Sequence, residues 1–456
     1  MTATARFTAA SPVRDPRTQR LLDAPILPLL IRLALPNVLI MFAQASTGLI
    51  ETWWVSKLGT DALAGMALVF PVVMLMTMIS AGAVGGGISA AVARALGAGK
   101  RAEADALVLH AVAINLCLGL IFSAIFLLWG REIYGALGGT GGELDAAVAY
   151  SNIVFAGNIF VWLMNGLASV IRGTGNMIVP ALFTCIGVVF LIPISPLLIF
   201  GYGPIPALGI VGGGLALLLY YAAGTLFLGG YILSGRAAAR FRAGRLSGRL
   251  MGDILHVGAL SSVQSVLTNV IIAGATALVA VRLGVEGVAG FGTGIRLEYL
   301  LIPLVFGIGA PLVALVGTNL AAGQTLRARR IALTGAALAF GVTELIGLSA
   351  ALFPEAWLRL FSEESGAVEA GVAYLRIVGP FYGFIGLGLA LYFAAQGRRQ
   401  MALPISCAVV RLVVALGGGW LGLALTGRVE AVYVALALGI VLYGSGMLAG
   451  VLRKAW

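Results

Sequence analysis

Long apolar runs separated by short polar breaks set the pattern of this chain. Twelve runs of about twenty residues or more can be marked, near 30–55, 62–88, 106–129, 147–171, 177–200, 207–233, 254–281, 288–318, 330–352, 371–396, 401–423 and 430–451. An α-helix rises about 1.5 Å per residue, so about twenty residues cross a hydrocarbon core about 30 Å thick. Strands of a membrane barrel would read instead as alternations about ten residues long. The pattern predicts an all-α polytopic membrane protein with twelve transmembrane helices. The opening stretch MTATARFTAASPVRDPRTQR is polar, and no cleavable signal peptide is expected.

Charge adds an orientation to this pattern. Of 456 residues, 60% are hydrophobic and 10% charged, against about 25% charged in soluble domains, so the lipid bilayer is the expected surrounding. Twenty of the 29 Lys and Arg fall in the termini and alternate breaks, among them Arg94, Lys100 and Arg101, Arg172, and the cluster Arg236, Arg240, Arg242, Arg245 and Arg249. Five fall in the remaining breaks: Lys57, Arg131, Arg282, Arg359 and Arg428. Basic loops stay on the cytoplasmic side, so both termini are expected there, in a multi-pass protein of the inner (plasma) membrane. The net charge of +11 is then a rim facing anionic lipid, and no nucleic acid is expected as partner. Cys117, Cys185 and Cys407 lie inside apolar runs without CxxC spacing and are assigned to packing. His110 and His256 are too far apart to suggest a metal site, and no GKS/T phosphate loop signals a built-in ATPase. Neither an enzyme, nor a metal, nor a bound cofactor is expected.

The chain also repeats itself. LGTDALAGM at 58–66 returns as LGVEGVAGF at 283–291, an offset of 225. ALGAGK at 95–100 returns as NLAAGQ at 319–324, offset 224, and IRGTGNMIVP at 171–180 has a looser echo in AAQGRRQMALP at 394–404. Three echoes in order predict a duplication. Each half holds six spans, an even number, so the halves share one orientation. The fold expected is two six-helix bundles related by a pseudo-two-fold axis along the membrane normal. The divisions read as a cytoplasmic tail over 1–27, a first lobe over 28–233, a basic linker over 234–252 and a second lobe over 253–452. Two-bundle proteins of this kind work by rocking around a central site.

With these stretches in view, the chain resembles the multidrug and toxic compound extrusion (MATE) family, bacterial type. LALPNVLIMFAQASTGLIETWWVSKLG with DALAG, ARALGAGKRAEA, RGTGNMIVP, and GTGIRLE followed by PLVALVGTNLAAG carry the likeness over about residues 21 to 451. The resemblance implies a secondary antiporter that expels bulky, often cationic amphiphiles in exchange for protons or sodium, with small molecules as partners and a monomer as the working unit. The alternative is a lipid-linked saccharide flippase of related architecture, which would favour a basic cleft.

Buried polar groups supply the candidate sites. Asn37, Gln44 and Glu51 are spaced by seven residues, nearly two helical turns, and share one face of span 1. The family carries an acid at the place of Glu51, tied to ion coupling; a structural partner is the other reading. In span 5 the family often shows an asparagine and an aspartate where VVFLIPISPLLIFG has Leu191 and Ser195. Sodium prefers several oxygen ligands and a proton needs one carboxylate, so the change favours protons. Asn158, Asn165 and Ser195 are candidate supporting groups, as are Gln264 and Asn269 in span 7 and Tyr382 in span 10. Glu298 reads either as a second coupling acid or as a member of an ion-pair network with Arg296, Glu344, Arg376 and Arg411. Pro36, Pro71, Pro180, Pro303, Pro311, Pro380 and Pro404 mark candidate hinges.

Overall fold

The structure, a computed structural model, describes residues 15–361 and 364–453. Arg6, Arg14, Glu363 and Lys454 lie outside the described residues. Among the described residues, eleven helices are long and apolar enough to cross a membrane, and a bent pair taken as one span makes twelve. Span 1 is Ile26–Ser56, span 2 Thr60–Gly97, span 3 Arg101–Ala136, span 5 Ile178–Phe200 and span 6 Ile210–Leu233. Span 4 is the bent pair, Gly141–Ala156 and Asn158–Gly173, meeting at 49°. The second half holds spans 7 and 8, Gly248–Gly284 and Gly287–Ala321, then Thr325–Leu352, Ser365–Arg398, Ala402–Thr426 and Glu430–Leu452 as spans 9 to 12. Helical hydrogen bonding runs on from span 7 into span 8, but Gly284 (φ 61°, ψ −152°) takes a conformation open essentially to glycine alone and divides them.

The prolines do not mark the main irregularities. Spans 1 and 2 run helically through Pro36 and Pro71, and only Pro380, in the 3₁₀ turn Gly379–Phe381, sits at an interruption. Span 4 turns instead at Gly157, where the chain leaves the first helix and Asn158 begins the second. Among the described residues two π-helical turns interrupt the helices further, Met78–Val84 in span 2 and Val413–Gly418 in span 11. The first of these has a source in the sequence. The repeat offset falls from 225 before it to 224 after it, so the first half carries one more residue there than the second. A π turn houses one extra residue without breaking the helix.

Equivalent glycines make equivalent contacts in the two halves. A Cβ on Gly65 would lie 2.7 Å from Ala147 N, and one on Gly290 would strike Ala367 O. A Cβ on Gly173 would lie 2.7 Å from Ser89 O and one on Gly397 2.6 Å from Val313 O. Gly173 and Gly397, like Ser89 and Val313, stand 224 residues apart, the offset of the repeat. The duplicated sequence thus builds two bundles on one packing scheme.

The bundles join at one end. We call it the basic face, because the linker and the alternate basic breaks lie there. Leu29, Leu30 and Ala34 of span 1 enter the core of the second bundle, while Leu250 and Ile254 of span 7 enter that of the first. Asp253 accepts from Arg94 of span 2 and from Arg399, both at 2.9 Å, and Arg94 also donates to Gly397 O at 3.1 Å. Toward the opposite face each hydrophobic cluster belongs to one bundle alone, as with Val69, Tyr134 and Tyr150 in the first and Phe291, Tyr374 and Tyr433 in the second. The bundles therefore enclose a cleft that is sealed at the basic face.

Two segments expected to be plain connections are built into this face. Within the expected tail, Pro16–Asp23 form a helix that opens with Asp15 Oδ1 accepting from Arg17 N at 2.8 Å and with Pro16 at its first turn. Its Leu21 and Leu22 are buried, and Asn319 of span 8 donates to Leu21 O at 3.1 Å. In the linker, Ala237, Ala238 and Ala239 are buried in the first bundle's core. Asp105 accepts from Arg240 N and His110 Nε2 from Ser247 N, each at 2.7 Å.

Candidate functional site

Glu51 is 3% exposed, one and a half turns from the end of span 1 at the opposite face. A carboxylate at that depth is costly unless its oxygens find donors or a proton. Its Oε1 has no hydrogen-bond partner. Gly213 of span 6 makes room for it, since a Cβ there would lie 3.0 Å from that oxygen. Spans 1 and 5 form a small pocket around the carboxylate, walled by Val188, Leu191 and Ile192, with Thr47 and Ser195 as its other polar members. The Ser195 hydroxyl lacks a partner too. Leu191 and Ser195, which stand where the family often shows an asparagine and an aspartate, therefore do face the pocket, and they leave it poor in oxygen ligands. Tyr150 and Tyr221 lie within electrostatic reach of the carboxylate.

The polar stripe expected on span 1 is only partly interior. Asn37 is buried, with Nδ2 donating to Leu33 O at 3.1 Å, whereas Gln44 is exposed. Asn158 and Asn165 serve span 4 rather than the Glu51 pocket. Asn158 Nδ2 donates to Gly119 O at 3.2 Å beside the bend, and Asn165 Nδ2 to Ser80 Oγ at 2.8 Å in the π turn.

In the second bundle, Arg411 donates to Glu298 Oε1 at 2.8 Å, and both side chains are buried. Tyr374 OH donates to Glu298 Oε2 at 3.3 Å and Tyr382 OH to Tyr374 OH at 3.4 Å. Gln264 Nε2 donates to Tyr443 OH, whose ring also faces Arg411. Asn269 donates to Ser265 O at 2.9 Å within its own helix. The rest of the expected network lies apart. Glu344 accepts from Gly383 N at 2.7 Å, Arg296 is exposed over the Phe361 ring, and Arg376 is exposed. A carboxylate held by one guanidinium and one phenol is compensated, in contrast to Glu51.

A further pocket lies between the bundles, above the seal. Spans 2 and 4 contribute Gly82, Gly86, Ser89 and Arg172, and spans 8 and 10 contribute Phe306, Ala310, Val313, Phe393 and Gln396. Arg172 is 8% exposed, so it is not the rim charge its place in the sequence suggested. Gly82 and Phe306, Gly86 and Ala310, Ser89 and Val313, and Arg172 and Gln396 are each 224 residues apart. The pocket therefore sits on the pseudo-two-fold axis. The signal was present in the echo of IRGTGN by AQGRRQ, which aligns Arg172 with Gln396, but a repeat alone does not say that its two copies face each other.

The matches to known proteins agree with this architecture. The MatE family model matches residues 36–197 and again 262–421, once in each half. The chain is 30% identical over 408 residues to the FAD transporter of Shewanella oneidensis, covering 87% of this chain and 88% of that one. It is 26% identical over 419 residues to the probable multidrug resistance protein NorM of Thermotoga maritima, covering 86% and 88%. A solved structure titled as the outward-facing conformation of a multidrug resistance MATE family transporter superposes with a TM-score of 0.88 at 23% identity, over 97% of this chain and 99% of that one. With both halves matched by the family model and the two-bundle fold reproduced throughout, the chain is a multi-pass membrane transporter of the multidrug and toxic compound extrusion family.

Proposed function

We propose that this transporter is a secondary antiporter that exports bulky amphiphilic molecules in exchange for protons by alternating access, with Glu51 as the coupling carboxylate. The observation that carries the reading is the Glu51 pocket: a buried carboxylate with an unpartnered oxygen and no second acid among the residues lining it. One carboxylate can hold a proton, whereas sodium would lack ligands there. Glu298 is a weaker candidate, because Arg411 already compensates it. In the cleft-open state water loads the proton; when the cleft opens at the other face the proton leaves. Proton and cargo then oppose each other through the equilibrium between the two states, which suffices for exchange. The cleft is built from one chain, which supports a monomer as the working unit.

The orientation we propose puts the termini and the linker in the cytoplasm, at the inner membrane, so that the cleft described here opens outward. Single cysteines at Gly244 in the linker and at Leu137 test this on a background lacking Cys117, Cys185 and Cys407. Labelling of Gly244→Cys by an impermeant reagent in intact cells overturns it.

Cationic cargo is what the family resemblance implies. The relative named as an FAD transporter adds a flavin nucleotide as a second cargo to test. In proteoliposomes under an imposed pH gradient, tetraphenylphosphonium and flavin mononucleotide serve as the two probes. Gradient-driven movement of either, lost in a well-folded Glu51→Gln, is the expected result. Movement that persists at wild-type level in E51Q refutes the coupling role. A sodium gradient that drives uptake at fixed pH selects the wrong-ion alternative. The second reading, a lipid-linked saccharide flippase, draws on Arg172 between the bundles, and scrambling of such a lipid without gradient dependence selects it.

A further inference from the structure

We propose that the pocket on the pseudo-two-fold axis is an anion subsite in which Arg172 receives the phosphate end of an aromatic phosphate ester carried as cargo. This deepens the transport reading above and rests on it for the passage of that cargo.

The first support is an imbalance of charge. A buried guanidinium is costly unless it is paired. Arg94 and Arg411 each meet a carboxylate, at 2.9 and 2.8 Å. Arg172 is buried as deeply as Arg411 but donates only to Ser169 Oγ, at 2.8 Å, and stands 6.0 Å from the centroid of the Phe306 ring. No carboxylate among the described residues pairs with it, and no acid lines the pocket. The guanidinium has five N–H donors in a planar fork suited to phosphate, so most of its hydrogen-bonding capacity remains for a ligand.

The repeat supplies a second, independent line. The position equivalent to Arg172 holds the neutral Gln396, whose Nε2 donates to Ser261 Oγ and Tyr392 OH, both at 2.9 Å. An amide thus suffices to pack the second copy of the site. The charge in the first copy goes beyond what packing requires.

The walls indicate the rest of the ligand. Ser89, 4% exposed, has a hydroxyl without a partner and lines the pocket on the side of span 2. Gly82 leaves that wall open, whereas the Gln396 amide packs against Gly86. As it stands the pocket has room for about one water molecule, so a phosphate enters as the lining side chains give way and the rest of a nucleotide extends into the cleft. Phe306 and Phe393, edge to face with centroids 5.4 Å apart, put a ring surface into the lining. A cationic headgroup would meet Arg172 and no acid.

Flavin mononucleotide and riboflavin share one ring system and differ by a phosphate, so they isolate the proposed contact. Binding of each to the purified full chain is read from flavin fluorescence anisotropy in phosphatidylcholine nanodiscs. Wild-type protein is expected to bind the phosphate ester about 10- to 100-fold more tightly, the range of a charge-assisted contact. Arg172→Gln should bring the two affinities together, and Arg172→Lys should keep part of the difference. Equal wild-type affinities overturn the proposal without any variant, as does an R172Q that weakens both ligands alike. Nanodiscs containing phosphatidylglycerol separate the two sources of a phosphate. Displacement of the mononucleotide by that lipid assigns the pocket to a lipid headgroup and overturns the cargo reading. If phosphate selectivity is found but no probe moves under a pH gradient, the antiport reading fails and the subsite stands. Gradient-driven transport without phosphate selectivity fails the subsite alone.

Discussion

Replacing Asp253 by asparagine should release the seal between the two bundles. Asp253 accepts two guanidinium hydrogen bonds at 2.9 Å, but only the one from Arg94 crosses between the sequence halves; Arg399 belongs with Asp253 to the second. The Arg94 and Asp253 side chains are 18% and 19% exposed, so screening is modest. A charge-assisted bond of this kind contributes about 1.5–3 kcal/mol. The change should therefore cost the state sealed at the basic face about 2 kcal/mol and leave the alternative state nearly untouched. At 1.4 kcal/mol per factor of ten, the population shifts about 30-fold toward closure at the opposite face. Spin labels at Leu137 and Leu360, exposed on the opposite-face rims of the two bundles, report that closure as a shorter distance by double electron–electron resonance. Glu355→Gln is the control, because its i,i+4 pair with Arg359 is 55% and 66% exposed and should move the equilibrium by less than about 0.5 kcal/mol. A D253N distance distribution that superimposes on the wild type refutes the seal.

Three further outcomes are expected. Glu298→Gln strands the buried Arg411 and should destabilise the protein by about 3–5 kcal/mol in detergent unfolding, most of it recovered when Arg411→Met is added; equal stability of the single and double variants contradicts this. Gly213→Ala sets a Cβ 3.0 Å from Glu51 Oε1, and crowding of about 1–3 kcal/mol should slow gradient-driven transport about tenfold at unchanged expression. Gly65→Ala and Gly290→Ala drive a Cβ into the backbone of a neighbouring span and should each lower thermal stability, whereas Gly229→Ala, with its nearest neighbour at 3.8 Å, should not.

The spans were legible because a membrane helix must carry its own apolar solvent-facing surface, which leaves a mark on every residue of the run. The duplication was legible in LGTDALAGM and ALGAGK, whose Gly65 and Gly97 are fixed by contact with neighbouring helices and whose Gly59 and Gly99 are fixed by positive φ. Contacts between distant spans were harder to read. Three arginines of the expected network, Arg296, Arg376 and Arg411, were open to Glu298, but only the fold brings Arg411 to it and leaves Arg296 and Arg376 exposed. Gln44 shares the spacing of Asn37 and Glu51, yet it is exposed. Spacing fixes a face of a helix without saying what that face meets. Arg172 was read as rim charge because its backbone lies at the basic end of span 4, and a long side chain can reach well inward from there.

The π turn at Met78–Val84 bears on how two copies of one design came to differ. In an unbroken α-helix one added residue would rotate what lies beyond it by about 100°, and the wider π turn takes up that rotation. On the basic-face side of the turn, span 2 and span 8 remain in step at an offset of 224, and the paired residues there meet across the axis. On the other side the offset becomes 225, and Gly65 and Gly290 still make equivalent contacts with a neighbouring span. One spare residue thus enters the first bundle while the closing half and the receiving half both keep the shared packing. It is in that receiving half that the first bundle keeps a lone carboxylate and the second a paired one.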